Sequence, residues 1–104
     1  MTRVDKSALL RRLVETAVGA YLWREAGTAG FSLSYWRERD REVDFVLDHG
    51  PRTLAIEVKS GRHRGSFPGM EKFVAHHPGT IRLLVGPDGI PLQEFLSTPP
   101  AEFF

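Results

Sequence analysis

The sequence predicts an α/β domain in which helices flank a mixed central sheet, with elements in the order αβββαβ and one or two closing helical turns. Three observations predict it. Apolar residues near the start recur at three- and four-residue spacing; three segments rich in β-branched and aromatic residues then follow on short turns; and a short helical segment precedes a continuous apolar run.

The first helix is read from Ser7 to Arg24 on the stripe Leu10, Leu13, Val14, Ala17, Val18 and Tyr21. Ser7 suits the N-cap, and Gly27-Thr28-Ala29-Gly30 supplies the glycines that end a helix. Phe31 to Arg37 and Val43 to Leu47 alternate and are separated by the polar stretch Glu38 to Glu42, which reads as a hairpin. The turn Asp48-His49-Gly50-Pro51 leads into a third strand, Thr53 to Lys59. After a Gly/Ser/Arg-rich loop from Ser60 to Ser66, Pro68 to His76 suits a short helix with proline in its first turn. Thr80 to Val85 is then a continuous apolar run, expected as a buried strand reached by helical crossover and parallel to the Leu54–Lys59 strand. Pro91 to Leu96 completes the elements, and Thr98-Pro99-Pro100 is expected to end the ordered part.

Composition bounds the function. The 104 residues suit a single domain spanning 1–104 with one core. At 41% hydrophobic and 26% charged the chain is ordinary for a globular protein, which argues against disorder and coiled coil. The absence of cysteine removes disulfide scaffolds and thiolate zinc sites. The polar start Met1-Thr2-Arg3-Val4-Asp5-Lys6 and the lack of any run near ~18 apolar residues point to a cytoplasmic protein rather than an exported or membrane one. A net charge of +1 gives no global pull on phosphate, so polyanion contact has to be local, at Arg37–Arg41 or Arg62-His63-Arg64.

Parity along the strands is the first chemical clue. Side chains alternate, so Asp44 is expected on the face of Glu42 and Val46, with Val43, Phe45 and Leu47 opposite. Glu57 and Lys59 likewise lie opposite Leu54, Ile56 and Val58. A hairpin centred on Gly50-Pro51 places Asp44 across from Glu57. Two carboxylates this close repel unless a cation sits between them, and oxygen-only ligation suits Mg²⁺ or Mn²⁺. A lysine two residues along the same face can neutralise a phosphate oxygen or orient an attacking water. From spacing alone the same residues also suit a solvated sheet face, with the two acids paired to Lys59, Arg41 or Arg52.

Asp44 followed thirteen residues later by Glu57-Val58-Lys59, after a helix carrying Glu15, resembles the PD-(D/E)xK nuclease superfamily with its αβββαβ restriction-endonuclease-like core. More closely, LVETAVGAYL, YWRERDREVDFVL and LAIEVKSG resemble the nuclease-like C-terminal domain of unknown function found in prokaryotic AAA+ ATPases. The match runs from Leu10 to Phe73. Val43 stands where the motif's proline would be. The resemblance implies Asp44 and Glu57 as metal ligands, the Val58 carbonyl as a further ligand, Lys59 as the lysine that positions water, and Glu15 as the helix acid. Glu15 falls at the edge of the apolar stripe, near Gly19 and Leu22, from where it reaches over the sheet edge. No Gly-x-x-x-x-Gly-Lys-Ser/Thr occurs, so any ATPase part would be elsewhere, in cis or in trans.

Nucleic-acid candidates are Arg37, Arg62 and Arg64, with Trp36 suited to stacking on a base or, as readily, to packing. His76 and His77 suit a helix end better than a metal. The leading expectation is a metal-dependent nuclease-like phosphodiesterase acting on DNA. The alternative is a non-catalytic nucleic-acid-binding or regulatory module of an AAA+ ATPase, and a third role is homodimerisation through an edge strand or the tail Phe103-Phe104.

Overall fold

The structure is a computed structural model and describes residues 6–62 and 65–104. The polar stretch Met1–Asp5 and the loop residues His63 and Arg64 lie outside the described residues. The elements run α1 (Lys6–Ala29), β1 (Ser32–Glu38), β2 (Arg41–His49), β3 (Arg52–Val58), α2 (Pro68–His76), β4 (Ile81–Val85), α3 (Leu92–Leu96) and a 3₁₀ turn at Pro100–Phe103. The sheet has the order β1-β2-β3-β4, with β1, β2 and β3 antiparallel and β4 parallel to β3. This is the αβββαβ mixed sheet that the sequence predicts, and none of the described helices is long and apolar enough to cross a membrane.

Each sheet face carries its own apolar cluster. On one face Val18, Tyr21 and Leu22 of α1 meet Leu47, Leu54, Ile56, Val58, Val85 and Phe95. On the other, Val43, Val46 and Ala55 meet Met70 and Phe73 of α2, with Trp36 packed edge-on to Phe73 at 5.5 Å between ring centres. Each fully buried Leu, Ile or Val contributes on the order of 1.5–3 kcal/mol. Trp36 is therefore a packing residue in this fold.

Five expectations need correction. First, α1 runs on to Ala29, because Gly27 continues the helix and the left-handed turn falls to Gly30 (φ 76°), whose amide donates to the Ala26 carbonyl. Second, Ser7 lies inside the helix rather than capping it. Third, the stripe is covered only from Val14 onward: Leu10 and Leu13 are 50% and 58% exposed, Val14 and Ala17 are half-buried, and Leu22 takes a core position. Fourth, β4 is an edge strand, so only Val85 in it is buried. Fifth, the chain stays ordered beyond Pro100: Phe103 stacks on Phe95 at 5.6 Å, Phe104 packs against Phe31 and His49, and Tyr21 Oη donates to the Thr98 carbonyl at 2.6 Å. The aromatic tail is spent on the domain's own core.

Strand alternation also breaks at one point. From Ser32↔Asp48 to Ser34↔Val46 the β1–β2 register is regular, and it resumes at Trp36↔Val43, so β2 carries one extra residue at Asp44-Phe45 opposite Tyr35. Such a bulge turns the chain over by one position. Val43 consequently joins Val46 against α2 instead of sharing a face with Phe45 and Leu47.

Candidate metal and catalytic site

The bulge matters because of where it falls. The β2–β3 ladder runs from His49↔Arg52 up to Phe45↔Ile56, the register expected for a turn at Gly50-Pro51. Beyond it the Val58 amide donates to Asp44 Oδ2 at 2.8 Å, so a side chain takes an amide that faces β2. On the far side of β3, the Lys59 amide donates to the Val85 carbonyl at 2.9 Å, which fixes the lysine backbone to β4. The two central strands part at Asp44 while β3 stays anchored.

A cavity of about 490 Å³ opens at that parting. Asp44, Glu57, Lys59 and Glu15 all line it. Its other walls are Arg11 from α1, Asp40 and Glu42 from β2 and its turn, and Ser66 to Gly69 at the entry to α2. Walls thus come from helices on both faces of the sheet, which is how an acid on α1 reaches the same space as Glu57. Gly69 allows α2 to come this close, because a Cβ there would run into the Glu42 backbone carbonyl.

The electrostatics follow from crowding. Glu57 is 7% exposed and is the only buried charged residue among the described residues. Burial, and then the neighbouring Asp44 charge, push its carboxyl up to about 8. Burial also raises Asp44, against the lowering effect of the Val58 amide and of Lys59. Burial and the Asp44 charge together keep a proton on Glu57 in the metal-free protein. Glu15 is raised too, by burial first and by Asp44 second. Glu42 adds to the repulsion on all three acids.

Asp44 and Glu57 fit a hard divalent cation. They are oxygen donors lining one cavity, where the repulsion that keeps a proton on Glu57 is one that a cation would remove. In antiparallel pairing a residue's N–H and C=O face the same neighbour, so the Val58 carbonyl is directed to the side where its amide meets Asp44. Among the described residues no three His, Cys, Asp or Glu side chains already form a metal-ligating group.

The basic candidates lie elsewhere. Arg37 is exposed on β1, with its Nε donating to the Arg39 carbonyl at 3.3 Å. Arg62 pairs with Asp88 at 2.9 Å, tying the loop after β3 to the turn after β4. Arg64 is outside the described residues. His77 stacks on Phe73 at 4.3 Å, and its Nδ1 lies 3.0 Å from the Phe73 carbonyl, the helix-end role expected of it. Sequence reasoning passed over Arg11 and Glu42 as site residues, although both carried a signal: Arg11 is one helical turn before Glu15, and Glu42 is two strand positions before Asp44.

Residues 11–93, well over half of the chain, match the model of a family described as a domain of unknown function, DUF4143. No curated protein matches the chain significantly. The chain belongs to the DUF4143 family.

Proposed function

We propose that this domain is a metal-dependent, nuclease-like phosphodiesterase of the PD-(D/E)xK type acting on DNA. The observation that carries the reading is the convergence of Glu15, Asp44, Glu57 and Lys59, from three elements, on one cavity. A carboxyl pair with one member buried and the other half-buried is costly unless it binds something, and perturbed acids in a cleft mark functional sites.

In this reading Asp44, Glu57 and the Val58 carbonyl hold Mg²⁺ or Mn²⁺, which when bound supplies charge neutralisation and acidifies water. Lys59 Nζ donates to a phosphate oxygen or to the attacking water and holds it in line with the leaving oxygen. The water oxygen bonds to phosphorus as the bond to the leaving oxygen breaks. Glu15, with its raised carboxyl, is suited to take the proton released by that water. Arg11 stands one turn away as the second cation lining the cavity and neutralises the substrate phosphate.

The test is cleavage of plasmid and single-stranded DNA with Mn²⁺ or Mg²⁺ by the wild type and by Lys59→Ala. Metal-dependent cleavage that drops at least about a hundredfold in Lys59→Ala supports the reading. Equal cleavage by both proteins contradicts the role given to Lys59.

A second reading, a non-catalytic module of an AAA+ ATPase, is favoured by one observation. Arg37 and Arg62 have partners elsewhere and do not line the cavity, which leaves five carboxylates against Arg11 and Lys59 in its lining. Metal binding without cleavage of any DNA is the outcome that selects it.

A further inference from the structure

A second cavity, of about 340 Å³, lies on the other side of Glu57. It is lined by Phe67, Met70, Leu83 and Leu84, with Glu71 and Arg82 at its edge. Glu57, Ser66 and Phe67 line both cavities, so together they form a shared wall. Phe67 is half-buried, and its ring lies 5.9 Å from Lys59 Nζ, so the ring that faces the apolar space also bounds the catalytic lysine.

The two spaces differ in chemistry. The first is walled by charged groups. The second has an apolar floor made by the Phe67 ring, the Met70 thioether and Leu84, since Leu83 turns its side chain to the other face of the sheet, and this floor suits a flat ring that stacks. Arg82 and Glu71 are exposed, so one offers fixed N–H donors and the other a carboxylate acceptor to the edge of such a ring. A phosphate held at Asp44 and Glu57 would have its adjoining sugar and base within reach of this wall.

We propose that the cavity bounded by Phe67, Met70, Leu83, Leu84 and Arg82 is a nucleobase subsite that receives the base next to the phosphate at Asp44–Glu57. The proposal rests on the phosphodiesterase reading and adds a substrate class to it. A base seated there has left its stack, so the preferred substrate is single-stranded or locally opened DNA, where unstacking costs least. The occupant is a base rather than an acyl chain because polar edge groups close the apolar pocket at its rim.

The test is calorimetric titration in Mn²⁺ with the four deoxynucleoside 5′-monophosphates and with deoxyribose 5-phosphate, none of which has a phosphodiester to cut. The expected result is nucleotide binding about tenfold or more tighter than the sugar phosphate. Leu84→Trp, which fills the pocket, abolishes that difference. Arg82→Ala, at an exposed position that does not endanger folding, reduces the difference for at least one base.

Equal affinity for nucleotide and sugar phosphate overturns the base subsite and leaves the metal-phosphate reading intact, as does a base-dependent gain that persists in both variants. A base-dependent gain that needs no metal supports the subsite while overturning the metal reading. Binding of neither probe overturns both.

Discussion

Asp44 Oδ2 accepts a hydrogen bond from the Val58 amide at 2.8 Å, and this bond joins the two strands where their regular ladder has stopped. One carboxylate therefore closes the sheet and lines the cavity, which separates its structural and chemical roles experimentally. Asn retains an acceptor oxygen, while Ala leaves a part-buried N–H without its partner. Asp44→Ala is expected to lose about 1–3 kcal/mol in urea unfolding and Asp44→Asn clearly less. Both are expected to lose divalent-metal binding. Equal stability of Asp44→Ala and wild type would contradict the strand-closing role.

The raised carboxyl of Glu57 has a stability consequence of definite sign. In the unfolded chain it ionises near 4.5, but in the folded, metal-free protein it keeps its proton up to about 8. Between these values the folded state binds more protons. Its contribution is therefore fully present below about 4.5 and is lost as the pH rises toward 8. Thermal unfolding in EDTA should show a decline over that window that is smaller in Glu57→Gln, by on the order of 1–2 kcal/mol after solvent screening, the remainder coming from the raised Asp44 and Glu15. Parallel pH profiles for the two proteins would count against the buried proton.

Gly69 sets the distance between α2 and β2. A Cβ there meets the Glu42 backbone, which has no room to yield without moving the helix. Gly69→Ala is expected to destabilise by about 1–3 kcal/mol and to displace Phe67 from the cavity wall. Urea midpoints check the first effect. An unchanged midpoint would show that α2 sits less tightly than described.

Tyr21 ties the long helix to the C-terminal segment through its 2.6 Å bond to the Thr98 carbonyl, and its ring packs edge-on to Phe95 at 5.7 Å. Tyr21→Phe keeps the ring and removes the bond. A loss of about 0.5–1.5 kcal/mol is expected, with protease sensitivity rising first beyond Ser97. Cleavage starting elsewhere would place the weak point outside this contact.

Much of this arrangement is legible in the sequence for identifiable reasons. The turn at Gly50-Pro51 fixes the β2–β3 register as far as Phe45↔Ile56, and β-branched alternation marks β3 almost to its ends. The expected pairing of Asp44 with Glu57 gives way to the bond from the Val58 amide to the Asp44 side chain. Pro68 and the apolar spacing after it set α2 at the bounds expected. The bulge at Asp44-Phe45 is not legible, because Glu-Val-Asp-Phe-Val satisfies alternation in either register and the choice is made by packing against α2. The exposure of Leu10 and Leu13 is hidden for a related reason: both fit the helical period, and only tertiary packing determines which residues of the stripe are covered. Arg11 and Glu42 enter the site through tertiary approach, with local spacing as their sole trace.

The central claim is that Asp44 and Glu57 form a divalent-metal site that works with Lys59. The most direct measurement is calorimetric titration of Mn²⁺ into the wild type, Asp44→Asn, Glu57→Gln and Lys59→Ala, with circular dichroism to show that each is folded. The account predicts binding by the wild type and Lys59→Ala and its loss in both carboxylate variants. Absence of binding by the folded wild type at millimolar Mn²⁺, or binding that survives both carboxylate substitutions, would contradict it.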